Sequence, residues 1–123
     1  MASVKRIDID DPAVEEDGSG NLFYEGRPFT GEVTEYAGNS LISLDEYVDG
    51  VLHGKSREWY SDGALRSEAQ AKSGRPVGTS KEWYANGILA KETTFAEDGL
   101  TMTSDKSWNE EGNLTREWRT SSG

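Results

Sequence analysis

Short runs of alternating apolar and polar residues, separated by glycine-containing turns, extend along most of the chain. Apolar residues do not recur with the three- and four-residue spacing of an amphipathic helix, and glycines come too often for a helix of about ten residues. Two stretches rich in aromatic residues, Gly54 to Tyr60 and Gly78 to Tyr84, lead into Asp62-Gly63 and Asn86-Gly87. Such dipeptides favour a tight reversal whose central residues have positive φ. The pattern therefore predicts β-hairpins.

The hairpin pattern repeats about every 24 residues, which is the spacing expected of a tandem-repeat fold. Residues 58–65, Glu-Trp-Tyr-Ser-Asp-Gly-Ala-Leu, recur at 82–89 and more loosely at 107–114, and an earlier copy lies at 35–41. A second glycine-containing turn precedes each copy. Three glutamates follow the leucines by three residues each: Glu68, Glu92 and Glu117. We therefore predict an all-β fold, a single antiparallel meander of about four tandem hairpins that is elongated and able to curl.

The first 20 residues lie outside the repeats and are strongly acidic, with six Asp and Glu side chains against two basic ones. Val4 to Asp10 is predicted to add an edge strand that Asp11-Pro12 ends. Glu15 to Gly20 is predicted to be a mobile linker because it combines charge with Gly and Ser. The chain is thus divided into an N-terminal acidic segment, 1–20, and a repeat domain, 21–123.

Composition indicates a thin core and many turns. Only 33% of the 123 residues are hydrophobic, whereas 14 are glycine, a residue that suits turns with positive φ. There is no cysteine, which excludes disulfides, thiolate metal sites and a cysteine nucleophile. No stretch has the apolar length of a signal peptide or a membrane span. We therefore expect a soluble, cytoplasmic protein.

The formal net charge of -10 bears on the partner. Nucleic acids and anionic lipid surfaces are bound through Lys and Arg, so we expect neither a nucleic acid nor a membrane partner. An acidic surface favours a basic protein partner instead.

Residues capable of catalysis or metal binding are sparse. His53 is the single histidine, and it occupies a variable slot of the repeat, so neither a zinc centre nor a catalytic triad is expected. Asp8 to Asp11 resembles the start of a calcium loop, but Ala13 and Ser19 stand where such a loop needs Gly and Glu. Glu35, Glu58 and Glu82 share one slot of the repeat, which favours a structural role over paired catalytic carboxylates. We expect no enzyme, no cofactor and no metal.

Strand alternation sorts the aromatic residues into two stripes on opposite faces. The first stripe comprises Tyr36, Trp59, Trp83 and Trp108, with the cations Arg57, Lys81 and Lys106 on the same face. The second comprises Tyr60 and Tyr84, with Glu58 and Glu82. Aromatic residues stabilise sheets by cross-strand packing, and they also anchor protein interfaces. These aromatic and glutamate residues are therefore candidates for protein binding as well as for packing.

The motif Trp-Tyr-x-(Asp/Asn)-Gly-x-Leu-x-x-Glu, joined by glycine-containing turns, resembles the MORN-repeat variant of bacterial YwqK-type antitoxin proteins. The resemblance covers about residues 22 to 118. It departs from the pattern at Tyr36, where Trp is usual, and at Thr103 and Asn109 in the last unit. The resemblance implies an antitoxin or immunity protein that neutralises a toxin by direct binding. The alternative is a structural scaffold or tethering module, for which a homodimer is possible.

Overall fold

The computed structural model describes residues 5–120, which form β-strands and no helix, and therefore contain no helix that could cross a membrane. The strands are β1 (Arg6–Asp8), β2 (Val14–Glu16), β3 (Leu22–Tyr24), β4 (Arg27–Pro28), β5 (Gly31–Ala37), β6 (Ser40–Val48), β7 (Val51–Trp59), β8 (Leu65–Lys72), β9 (Arg75–Trp83), β10 (Leu89–Phe95), β11 (Met102–Trp108) and β12 (Leu114–Arg119). The predicted all-β class is confirmed.

Nine of these strands form one open sheet in the order β1-β5-β6-β7-β8-β9-β10-β11-β12. From β5 to β12 each strand pairs antiparallel with the next, which confirms the predicted meander. β1 pairs in parallel with β5 and lies at one edge, inside the segment for which the sequence predicts an edge strand. Val4 lies outside the described residues. The division into an acidic segment and a repeat domain stays a prediction.

Two-residue turns set the register between repeat units. Asp49-Gly50 joins β6 to β7, and Ser73-Gly74 joins β8 to β9. Glu25-Gly26 makes an equivalent turn between β3 and β4, and both residues of each of the three pairs have positive φ. Positive φ at both central positions defines the type I′ turn, whose twist matches that of the flanking strands. Strands β7 and β9 consequently begin at Val51 and Arg75, directly after the turn.

The reversals inside each unit have a different geometry from the one that the sequence predicts. At Asp62-Gly63 and Asn86-Gly87 only the glycine has positive φ, so the expectation of positive φ at both residues is wrong. The Gly63 amide donates to the Tyr60 carbonyl at 2.9 Å, and Oδ1 of Asp62 accepts from the Ala64 amide at 2.9 Å. This side-chain cap stabilises a wider turn that ends in a glycine bulge.

The hydrophobic core lies at the N-terminal end of the sheet and not among the regular repeats. Ile7, Leu22, Phe29 and Val33 are buried together, and Ile9, Val14, Tyr24 and Tyr47 pack around them. β2, β3 and β4 form a separate three-stranded sheet that contributes to this cluster. Among residues 5–120, Ala71 is the one buried hydrophobic residue outside the cluster. The repeats are therefore largely a single layer of strands.

The predicted linker at Glu15 to Gly20 is corrected, because Glu15 and Glu16 belong to β2 and pair with Phe23 and Leu22. The chain then turns around the side chain of Asp17. Its carboxylate accepts hydrogen bonds from the amides of Asn21 and Ser19, both at 2.9 Å. These bonds, with the Asn21 amide as the largest contributor, hold the pKa of Asp17 below its usual value. Local capping by one aspartate thus replaces a linker with a hairpin.

The two sheets are joined at Gly50. The Leu22 amide donates to the Gly50 carbonyl, and the Gly50 amide donates to the Phe29 carbonyl, both at 2.8 Å. Gly50 has a φ of 82°, and a Cβ there would lie 2.8 Å from the Leu22 carbonyl oxygen. A side chain is therefore excluded by both conformation and space.

We expect Gly50→Ala to lower the free energy of unfolding by about 2 to 4 kcal/mol, because it combines left-handed strain with damage to two hydrogen bonds. Gly26→Ala is the matched control, since Gly26 occupies the same position of an equivalent turn with open space around it. It should cost only the left-handed strain, about 1 to 2 kcal/mol. Urea unfolding monitored by tryptophan fluorescence measures both, and equal losses would contradict the close approach at Gly50.

Candidate protein-binding faces of the repeat sheet

The first aromatic stripe runs along one end of the sheet. Trp59, Trp83 and Trp108 are each the last residue of a strand, just before an Asp-Gly or similar turn, and the cross-strand partner of each is the leucine of its own unit. The pairs are Tyr36 with Leu41, Trp59 with Leu65, Trp83 with Leu89 and Trp108 with Leu114. Directly opposite residues of antiparallel strands point to the same face. The three tryptophans are half-buried, whereas Tyr36 is 42% exposed.

A row of alternating charges lies on the same face, two residues before the tryptophans. Six strands contribute one charge each, in register: Arg57, Glu68, Lys81, Glu92, Lys106 and Glu117. Arg57 lies 3.8 Å from Glu68, and Lys106 lies 3.6 Å from Glu117. Opposite charges in register favour this pairing over a slipped one. The repeated glutamate after each leucine thus neutralises the cations beside the tryptophans.

Tyr60 and Tyr84 link successive repeat units. Both follow the last residue of a strand, and their hydroxyls donate to the carbonyls of Trp83 and Trp108 in the next unit, each at 2.7 Å. In the last unit Asn109 stands in this slot, and its Oδ1 instead accepts from the amides of its own turn. The hydroxyls of Tyr60 and Tyr84 therefore form hydrogen bonds within the sheet. Contact between their rings and a partner stays a prediction.

Glu58 and Glu82 lie on the face opposite the tryptophans, in one row with Glu35. Serines separate them in register, with Ser43 between Glu35 and Glu58, and Ser67 between Glu58 and Glu82. The Ser67 hydroxyl donates to Glu58 at 2.9 Å. All three glutamates are exposed. Two strand spacings separate neighbouring carboxylates, roughly 10 Å, so the row presents evenly spaced negative charge.

Asp45 is a half-buried carboxylate that sequence reasoning missed. It lies opposite Val33 on β5 and Ser56 on β7, and the Ser56 hydroxyl donates to it. Burial raises the pKa of Asp45, and the nearby Glu58 raises it further, while the Ser56 hydrogen bond acts in the opposite direction. The feature that would have identified Asp45 is its position opposite the core residue Val33. This position is known only once the strands are aligned.

The remaining polar residues considered for chemistry have local structural contacts. His53 is exposed on β7, where its Nδ1 accepts from the Ser73 amide at 3.1 Å. Asp8 and Asp11 accept hydrogen bonds from amides two residues further along the chain, at 2.8 and 2.9 Å. Within residues 5–120 no group of three or more His, Asp or Glu side chains is arranged to hold a metal ion.

Comparison with known families identifies the repeat. Residues 52–72 and 76–97 match the family described as MORN repeat variant, so the chain contains MORN repeats of this type. The matched residues cover the hairpins β7-β8 and β9-β10. The YwqK-type antitoxin resemblance stays a prediction.

No curated protein matches this chain. Among solved structures, it is similar to a TarM mutant from S. aureus crystallised with fondaparinux, alpha-GlcNAc-glycerol and UDP, with a TM-score of 0.41 and 9% sequence identity. The match covers 86% of this chain and 19% of that one, so this chain spans about a fifth of the TarM length.

We expect Tyr60→Phe and Tyr84→Phe each to lower the free energy of unfolding by about 1 kcal/mol, because each removes one hydrogen bond between repeat units. Tyr36→Phe is the control, since the Tyr36 hydroxyl makes no hydrogen bond within residues 5–120. Chemical denaturation of the three variants distinguishes them. A loss at Tyr36→Phe as large as at the other two would contradict the linking role.

We expect the stability of the protein to depend on pH through Asp45. Because its pKa is raised on folding, its favourable contribution is complete below the ordinary aspartate pKa and is lost as the pH rises through the raised value. Asp45→Asn keeps the oxygen that accepts from Ser56, so it should exceed the parent in stability at neutral pH.

The gain from Asp45→Asn should disappear at about pH 3, where the parent carboxyl is protonated in both states. Urea unfolding across this pH range measures the difference between the two proteins. Ser56→Ala serves as the control and should be destabilising, because it removes the donor to Asp45. If Asp45→Asn is less stable than the parent at neutral pH, the claim that partial burial of the Asp45 charge destabilises the fold is contradicted.

Proposed function

We propose that this chain is a non-catalytic, cytoplasmic binding protein that neutralises a basic protein toxin by direct contact. The observation that carries this proposal is the exposed row of Glu35, Glu58 and Glu82 on one face of the MORN repeat sheet. MORN repeats suggest a binding module or scaffold. The antitoxin role extends this through the resemblance to YwqK-type proteins.

The charge distribution of the sheet favours the glutamate row as the contact surface. On the tryptophan face, glutamates lie opposite cations in register. On the other face, Ser43 and Ser67 separate the three glutamates, so Glu35 and Glu58 have no cation opposite them in register. Glu82 lies between Ser67 and Lys91. A row of like charge accelerates association with an oppositely charged partner and adds specificity. It suits a basic toxin better than a nucleic acid or an anionic membrane, which we exclude from the proposal.

Co-expression with the product of the adjacent gene tests the proposal. We expect the two proteins to co-purify and the toxin to lose activity. In calorimetric titration, the triple variant Glu35→Gln, Glu58→Gln, Glu82→Gln should bind about tenfold more weakly, since each partly exposed charge pair contributes about 0.5 kcal/mol. The parent should also lose affinity as salt is raised.

The matched control is the triple variant Glu68→Gln, Glu92→Gln, Glu117→Gln. It removes the same charge from the tryptophan face, so its affinity should stay close to that of the parent, although its stability should fall slightly. If the two triple variants bind equally well, the glutamate row is not the contact surface. If the neighbouring protein neither binds nor loses activity, the antitoxin role is contradicted.

A second candidate function is self-association through β12, and one observation favours it. All six residues of β12 are exposed, among them Leu114 at 51% and Trp118 at 45%, and within residues 5–120 no strand pairs with its outer edge. An open edge with apolar residues accepts another strand. Under this function, light scattering should show a homodimer that Trp118→Lys dissociates. A parent monomer at high concentration would contradict it.

A further inference from the structure

A notch opens between the turns of the first and second repeat units. It has a volume of about 500 Å³ and is lined by Ser40, Leu41, Trp59, Ser61, Asp62 and Gly63. Leu41 and the half-buried indole of Trp59 provide its apolar surface. The hydroxyl of Ser40 donates to the Ser61 carbonyl at 3.0 Å, which holds the two turns together beside it. The notch therefore belongs to a junction between units and has a defined polar rim.

The notch lies where the first repeat unit departs from the others. Its turn is shorter, since Ala37 pairs directly with Ser40 across Gly38 and Asn39. Ser40 also occupies the slot before the repeat leucine, where the third unit has Ile88. At the later junction the Cδ1 of Ile88 lies 3.8 Å from the position of a Cβ at Gly112. At the first junction nothing lies within 4 Å of a Cβ at Gly63, so the space is open, as it also is at Gly87 of the second junction.

The chemistry of the notch suits a guanidinium group. Its surface combines an aromatic ring with a carboxylate, and arginine both stacks on aromatic rings and pairs with carboxylates. Oδ1 of Asp62 accepts from the Ala64 amide, whereas Oδ2 accepts no hydrogen bond within residues 5–120. In the same unit, the Arg66 guanidinium already lies over the ring of Tyr60 at 5.7 Å. The net charge of -10 adds a long-range attraction for a cation.

We propose that this notch binds an arginine side chain of the basic protein partner, with its guanidinium stacked on Trp59 and paired with Asp62. The inference rests on the proposed function, because it names the residue type that the partner inserts. Leu41 would contact the aliphatic part of that side chain, and the glutamate row would supply the less specific attraction.

The repeat itself supplies the variants that test this inference. Ser40→Ile introduces the residue found at position 88 and should fill the notch. Asp62→Asn introduces the residue found at position 86, whose Oδ1 caps its turn as Asp62 does, accepting from the Ile88 amide at 2.9 Å. Ser40→Ile removes the hydrogen bond to Ser61, but isoleucine suits a strand position, so both substitutions should leave the fold intact. The pattern of backbone amide signals in a nitrogen–proton NMR spectrum verifies this for each variant.

The probe is N-acetyl-arginine amide, titrated into the full chain while the indole N–H signals of the four tryptophans are recorded. We expect a saturable shift of the Trp59 signal and no comparable shift of Trp83, Trp108 or Trp118. Ser40→Ile should abolish the shift, and Asp62→Asn should weaken binding about fivefold. N-acetyl-norleucine amide, which lacks the charge, should produce a much smaller shift.

No shift of Trp59, equal shifts of several tryptophans, or an equal response to norleucine would each overturn the inference. So would an unchanged response in folded Ser40→Ile. The proposed function is tested separately, because the probe needs no toxin. If the probe binds but the neighbouring protein does not, the notch stands and the antitoxin role falls. If the toxin binds while the probe leaves Trp59 unaffected, the antitoxin role stands and the notch falls.

Discussion

Strand register, set by the two-residue turns between repeat units, is the constraint on which the rest of the structure depends. Asp49-Gly50 and Ser73-Gly74 have positive φ at both residues and so align β6 with β7 and β8 with β9. A shift by one residue would move every side chain to the other face. With the observed register, opposite charges meet across six strands, and the tyrosine hydroxyls reach the next unit. Packing, charge and candidate binding surfaces all follow from this alignment.

A sheet that is mostly one layer has little apolar area to bury, so its stability comes from one end and from neighbouring units. The buried cluster around Leu22 and Phe29 anchors β1, β5 and the three-stranded sheet. Beyond it, each unit is held by its neighbours, as in other repeat proteins. β12, the last unit's outer strand, has no buried residue. Both faces of the repeats are consequently available to a partner, which a two-layer fold would not allow.

The repeated part of the fold could be predicted from sequence, because the same sequence pattern recurs in each unit. The Trp-Tyr-x-Asp-Gly-x-Leu motif gave the strands and the meander order, and alternation placed Trp59 and Trp83 on one face. Residues that occur once offered no such support. Leu22 and Phe29 form the core at the end of the sheet, before the regular units begin, and Asp17 turns an expected linker into a hairpin by accepting hydrogen bonds from amides.

The candidate binding site was predictable in its residues but not in their roles. Sequence alternation separated Glu58 and Glu82 from the tryptophans, as the register requires. It could not show that Tyr60 and Tyr84 donate to carbonyls of the next unit, because that depends on the stacking of units in space. The notch at Ser40 was equally hidden, since it results from a turn shortened in one unit only. Differences between the repeat units can be interpreted only once the units are aligned in the structure of the sheet.

Native-state hydrogen exchange tests most directly the claim that the sheet is anchored at one end and held by register beyond it. The account predicts the slowest amide exchange in β5 and β6, beside the buried cluster, with protection falling along the meander toward β12. Uniform protection as far as β12, or the strongest protection in β9 and β10, would contradict it.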